Sequence, residues 1–198
     1  MNRELILINS ALDSHAEWLG DQLAREQYSQ LFVEHISVKK IVRSLGGTAL
    51  KSIDSALLYD AVSDALTIHD SAGLVLVSNY PQHSIPIHEV KEQIDDIYEL
   101  AGFDDRTIAG LIIPDSPKTD SVLQILSENR VPLTVPDAEK ILLQHQQGFD
   151  PMVIEFLYRG LPTRFVDMSN EDEEVIYDAV QCVMQLIRPG GPVDNRTS

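Results

Sequence analysis

The sequence predicts an α/β domain of three layers, α/β/α, on a mostly parallel sheet. Short apolar runs alternate with longer amphipathic ones along nearly the whole chain. A β-α-β-α alternation places helices on both faces of a parallel sheet. The length, 198 residues, suits one domain, and an apolar content of 43% is enough for a real core.

Apolar runs at 5–8, 31–36, 74–77, 108–113 and 163–166 are the strand candidates. Helices fit between them. The stretch 13–25 carries Trp18, Leu19 and Leu23 on one face, and 53–66 spaces Ile53, Leu57, Ala61 and Ala65 helically. Val90, Ile94, Ile97 and Tyr98 do the same in 87–100. A helix over 120–129 follows Pro117, with Thr119 as its cap candidate, and helices over 137–147 and 151–158 come next. The last, 171–187, opens on Glu171-Asp172-Glu173-Glu174 after Ser169 and Asn170. Four acids in a first turn complement the helix dipole. Residues 1–188 thus read as one domain and 189–198, rich in Pro and Gly, as a disordered tail.

The formal charge is -16, from 31 acidic and 15 basic residues. Such a surface repels nucleic acid and anionic lipid, and ATP too unless a basic site compensates. No apolar run approaches the roughly 20 residues of a membrane span. The N-terminus lacks a signal-peptide pattern. The single cysteine, Cys182, excludes an internal disulfide and reads as an inert buried thiol. The expected compartment is the cytoplasm, with nucleus and cilium open to an acidic domain of this size. His83, His88 and Glu89 match no metal-ligand spacing, so no metal site is expected. Asp13, Ser14 and His15 are adjacent on one turn and cannot form a hydrolase triad.

The turn after the first strand is the informative one. A phosphate-binding turn uses glycines, so that backbone N–H groups face the anion, and ends in Lys. Here Asn9-Ser10-Ala11-Leu12-Asp13-Ser14-His15 has neither Gly nor Lys, and Asp13 sits where an anion would sit. Other segments resemble the adenylate kinases. His35-Ile36-Ser37-Val38-Lys39-Lys40-Ile41-Val42-Arg43-Ser44 is similar to the family's H-[IL]-S-x-G-[DE]-L-L-R. Gly73-Leu74 through Ser78-Asn79-Tyr80-Pro81-Gln82 resembles GF-L-[IL]-D-G-[FY]-P-R. Pro151-Met152-Val153-Ile154-Glu155-Phe156 with Gly160-Leu161 resembles P-V-I-x-[FY]-[FY]-x-x-x-G-L. Phe165-Val166-Asp167 and Asp172-Glu173-Glu174-Val175 resemble the last strand and the D-E-V-F helix start.

The resemblance implies a five-stranded P-loop NTPase fold of adenylate-kinase type, with the monophosphate-binding insert and the lid reduced. It also implies losses. His15 falls near the phosphate-binding Lys, Ser78 replaces the acid near the metal, and Gln82 replaces a phosphate-clamping Arg. Lys39-Lys40 replaces G-[DE], and Arg43 survives. Phosphoryl transfer depends almost wholly on positioning and charge stabilisation, and losing one preorganised donor costs about 2.7–4 kcal/mol. The expectation is a catalytically inactive pseudoenzyme with no catalytic residues and no cofactor. It would act through other proteins as scaffold, adaptor or assembly subunit, or by self-association, with nucleotide binding not expected. The alternative is a divergent nucleoside monophosphate kinase in which His15, Lys39, Lys40 and Arg43 rebuild an anion site. A non-hydrolysing nucleotide sensor is a further one.

Overall fold

The computed structural model describes residues 3–25, 32–47, 53–83, 85–103, 105–128 and 133–187. The tail at 189–198 lies outside them, as do residues 129–132 of the stretch 128–137 that, by the resemblance, stands where the lid would be. Five strands form one parallel sheet in the order β2-β3-β1-β4-β5: β1 (Arg3–Ile8), β2 (Val33–Ser37), β3 (Leu74–Ser78), β4 (Arg106–Asp115) and β5 (Thr163–Asp167).

Alternation within the central strands builds two cores. Leu5, Leu7, Val75 and Val77 face one way, under α2 (Val38–Ser44), α3 (Ser55–Ile68), α4 (Ile87–Phe103) and α6 (Val135–Tyr158). Ile6, Ile8, Leu74 and Leu76 face the other, under α1 (Asp13–Leu23) and α7 (Asp172–Ile187). A strand buried on both faces must be apolar at every position, and so Leu5-Ile6-Leu7-Ile8 carries no polar residue. The helix α5 (Lys118–Glu128) packs on α6 through Val122, Ile125, Ala138 and Leu142, and Leu12 joins them. The three-layer α/β/α architecture with five parallel strands is as expected.

The helix ends follow from local chemistry. Ser37 caps α2 by accepting from the Lys40 N–H, and Asp54 caps α3 by accepting from Ala56 and Leu57. Thr134 and Asp137 form a capping box on α6. Gly160, at φ 75°, ends that helix in the left-handed conformation.

One expectation is corrected. Helices over 137–147 and 151–158 are a single helix of 24 residues with Pro151 inside it. Proline removes one helical hydrogen bond, at about 3 kcal/mol. Ala138, Leu142, Phe149, Met152 and Phe156 lie along one continuous buried stripe of this helix, and their burial outweighs that cost. Among the described residues no helix is long and apolar enough to cross a membrane.

Candidate functional site

The crossover after β1 runs to α1 on one face, while those after β3 and β4 run to α4 and α6 on the other. The carboxyl end of β1 is therefore a switch point, where open α/β sheets bind ligands. A crevice of about 460 Å³ opens there between β1 and β4. Its floor is Ser10, Leu12 and His15 from the β1–α1 connection, with Asp115 and Ser116 from the end of β4. Leu142, Phe149, Val153 and Ile154 of α6 and Phe165 of β5 make an apolar wall, with Gln146 and Asp150 at its polar margin.

The β1–α1 connection itself is short, because α1 already begins at Asp13. The Asn9 N–H donates to the Ile112 carbonyl at 3.1 Å and the His15 N–H to that of Leu12 at 3.0 Å. The Leu12 N–H donates to Ser10 Oγ at 3.3 Å, and that hydroxyl donates to the Pro114 carbonyl at 2.9 Å. These N–H groups are committed within the protein, and Asp13 puts a carboxylate into the first turn of α1. Among the described residues no Lys or Arg lines the crevice. A phosphate chain thus has no built cradle here of the kind a glycine-rich loop makes.

Lys39 and Lys40 do not form a free basic patch. Lys39 lies 3.8 Å from Glu17, and Lys40 lies 3.7 Å from Glu17 and 3.1 Å from Asp21. Arg43 is exposed in the last turn of α2. Ser14 accepts from the Gln124 side chain at 2.9 Å, tying α1 to α5.

The turn after β3 is packed under the crevice wall. Tyr80 is fully buried, with its hydroxyl 3.5 Å from Asp96, and burial raises that hydroxyl's pKa. Pro81 is buried, and the Gln82 N–H donates to the Gln93 side chain at 2.8 Å. The His83 carbonyl presses against α6 at Gly148, where a Cβ would sit 2.0 Å from it. The buried His83 ring stands 3.4 Å from the His145 ring nitrogen and 3.7 Å from Asp13. Burial lowers its pKa, the Asp13 charge opposes this, and His145 adds to the lowering. Among the described residues no three metal-ligating side chains converge.

Asn9 and Asn79 extend the paired ends of β1 and β3, where Ile8 faces Ser78. Asn9 Nδ2 donates to the Tyr80 carbonyl at 2.8 Å. Asn9 Oδ1 and both polar atoms of the Asn79 amide are buried with no partner among the described residues. Asn79 also holds φ at 61°. Each unmet buried group costs about 1–3 kcal/mol, and such costs concentrate at functional sites.

On the other face, under α1, Ser78 Oγ lies 2.8 Å from His35 Nε2, and His35 Nδ1 lies 2.7 Å from Asp21. With Nδ1–H donating to the carboxylate, Nε2 accepts from the serine. This is the hydrogen-bond order of a serine hydrolase triad. It is structural here: Ser78 is fully buried, and a Cβ at Gly20 would meet the His35 ring at 2.3 Å, so α1 lies directly on the imidazole. Burial lowers the His35 pKa against the pull of Asp21. Burial raises that of Asp21, but hydrogen bonds from His35 and Lys40 hold it below the usual range.

The sequence reading singled out Ser10, Leu12 and His15, which the crevice does bring together. It passed over Asp115, Asp150, Phe149 and Phe165. The available signal was position: Asp115 closes a buried apolar strand, and ligands gather at that end of a sheet.

Strand order, layers and crossovers define the P-loop kinase fold. A solved shikimate kinase from Bacteroides thetaiotaomicron shares it, with a TM-score of 0.56 over 93% of this chain and 98% of that one, at 12% identity. No family model and no curated protein matches the chain. The likeness corrects the expectation of a pseudoenzyme. The fold is shared with a solved kinase, and a sequence that lacks the glycines and Lys of one phosphate-binding turn does not by itself show a loss of catalysis. The expectation erred by equating the loss of one phosphate-binding mode with the loss of a site.

Proposed function

We propose that the chain is a divergent small-molecule kinase, related in segment order to the adenylate kinases, whose ligand occupies the crevice between β1 and β4. The observation that carries this reading is the crevice itself, at the switch point of a P-loop kinase sheet. Two further features support it. The quoted motif segments fall on β2–α2, on β3 and its turn, on the end of α6 and on β5–α7, in the family's order. His15 and Asp115 at the crevice floor are groups able to take a proton from an acceptor hydroxyl or amine.

The test is a thermal melt with and without saturating ATP, ADP, AMP and a two-nucleotide analogue, each with Mg²⁺, followed by an ADP-release assay over a panel of acceptors. A ligand at 100 times its dissociation constant stabilises by about 2.7 kcal/mol. For a domain of this size that raises the midpoint by roughly 5–11 °C. The shift is expected to disappear in Ser116→Trp, whose indole fills the crevice beside Asp115. Binding without ADP release favours the nucleotide sensor. No shift with any nucleotide and no ADP release overturns both.

A further inference from the structure

The crevice has two walls, and one pair of histidines joins them. Ala11 and Leu12 of the β1–α1 connection line one side, and Leu142, Gln146 and Phe149 of α6 line the other. His83, in the connection from β3 to α4, touches both walls and is 4% exposed. Its Nδ1 lies 3.7 Å from the Asp13 carboxylate, and a hydrogen bond to the Ala11 backbone holds the ring on that side. Its Nε2 lies 3.4 Å from Nδ1 of His145 on α6, and its ring meets that of Phe149 edge-on, with 5.7 Å between centroids. The bare Cα of Gly148 lets α6 come this close. Asp13 and His145 are, among the described residues, the charged or titratable groups that face the ring. With Nδ1–H turned to Asp13 and Ala11, Nε2 is left to accept from His145 Nδ1–H. That bond needs one bare nitrogen between the rings. Protonating both rings removes it and sets two cations 3.4 Å apart, with one nearby carboxylate to balance them.

We propose that the His83–His145 pair is a proton-operated latch across the crevice. With its hydrogen bond intact the pair ties α6 to the β1–α1 connection, and with both rings charged it lets the two walls part. His145 is half-buried, so its ring is the one that turns out to water when charged. The walls also meet in the third core, where Leu12 and Leu142 belong to one apolar cluster. That cluster has no titratable group and serves as the pivot. The latch is closed near neutral pH and opens below the ordinary histidine range, about pH 6.5. It is a property of the two walls and not of a particular ligand, so it stands or falls separately from the kinase reading.

The test is amide hydrogen exchange of the full chain at about pH 7.5 and 5.5, corrected for the intrinsic effect of pH on exchange. In acid, protection over residues 9–16 and 140–150 is expected to fall at least about tenfold, while β1 keeps its protection. His145→Gln retains a neutral donor for His83 Nε2 and cannot carry the second charge. It is expected to stay closed at both pH values. His15→Gln removes the histidine that lines the crevice itself. It is expected to keep the acid response. In the unaltered chain, the His83 ring signals followed by NMR are expected to titrate together with the opening. Protection that survives in acid overturns the inference, as does a loss shared by β1, which is global unfolding. An acid response that persists in His145→Gln, disappears in His15→Gln or leaves the His83 ring signals unmoved overturns it as well.

Discussion

Two polar regions flank the carboxyl end of β1, and they are built on opposite principles. Under α1, Ser78, His35, Asp21 and Lys40 form a chain in which every link has a partner within hydrogen-bond reach. Beside α6, Asp115 and Asp150 line an open crevice with no partner among the described residues, and next to it the Asn9 and Asn79 amides keep buried atoms that are likewise unmet there. A satisfied network spends its hydrogen-bonding capacity on the fold. An unsatisfied one keeps that capacity for something else. The triad-like geometry is thus the structural region, and the plainer side chains line the crevice proposed as the ligand site.

The sharpest way to break this contrast is through the glycine in each region. Gly148→Ala drives a methyl group into the backbone carbonyl of His83, which cannot rotate away. It is expected to cost about 3 kcal/mol or more, lowering the melting midpoint by roughly 6–12 °C. Gly20→Ala meets only the His35 ring, a side chain that can swing out. Its expected cost is about 2 kcal/mol, from the Ser78 and Asp21 groups left behind. Melts of the two variants check the order; equal costs would show that the His35 ring is as fixed as backbone.

Acid should reach both regions through their histidines. Burial holds the folded-state pKa of His35 and His83 below the ordinary value. Below about pH 6.5 the unfolded chain then binds protons that the folded chain refuses. The stability is therefore complete above about pH 6.5 and is lost as the pH falls toward the lower folded values. Each histidine contributes at most about 1.4 kcal/mol per pH unit. Melts at pH 7.5 and 5.5 should show the fall, and His83→Gln should flatten part of it. A midpoint that rises on acidification contradicts the assignment.

Asn79→Gly tests the functional side with the opposite sign. It removes two orphaned polar atoms and relieves a positive φ. It is expected to stabilise the protein by about 1 kcal/mol while weakening whatever ligand the melts reveal. A gain in stability with unchanged ligand affinity would make the orphaned amide a defect and not a contact. The smallest effect belongs to Arg43→Ala, within about 0.5 kcal/mol for an exposed side chain. An unchanged nucleotide shift in this variant would remove Arg43 from the site; its loss would restore an anion role for that helix.

Much of the fold was legible in the sequence because periodicity reports burial directly. The run Leu5-Ile6-Leu7-Ile8 has one reading in an α/β chain, a strand covered on both faces, and it lies at the centre of the sheet. The break expected near Pro151 was not found, since local propensity gives way to a continuous buried stripe. The site was less legible. Ser10, Leu12 and His15 stood out because a phosphate loop was expected there. Asp115 and Asp150 carry no motif, Phe165 belongs to one that marks a strand and not a site, and the three line one crevice only when β4, α6 and β5 are placed side by side.

The sequence by itself determined the element order, the two-faced parallel sheet and the absence of a glycine-rich phosphate turn. These follow from spacing and residue type, which act over a few neighbouring positions. Only the tertiary structure decided which polar groups pair and which stand open. His35 is 43 residues from Ser78 and 14 from Asp21, yet bonds both. Asp115 and Asp150, no further apart in the chain than that, line one cavity and have no partner among the described residues. Partnership between side chains is set by where the crossovers carry them, and no local pattern records that.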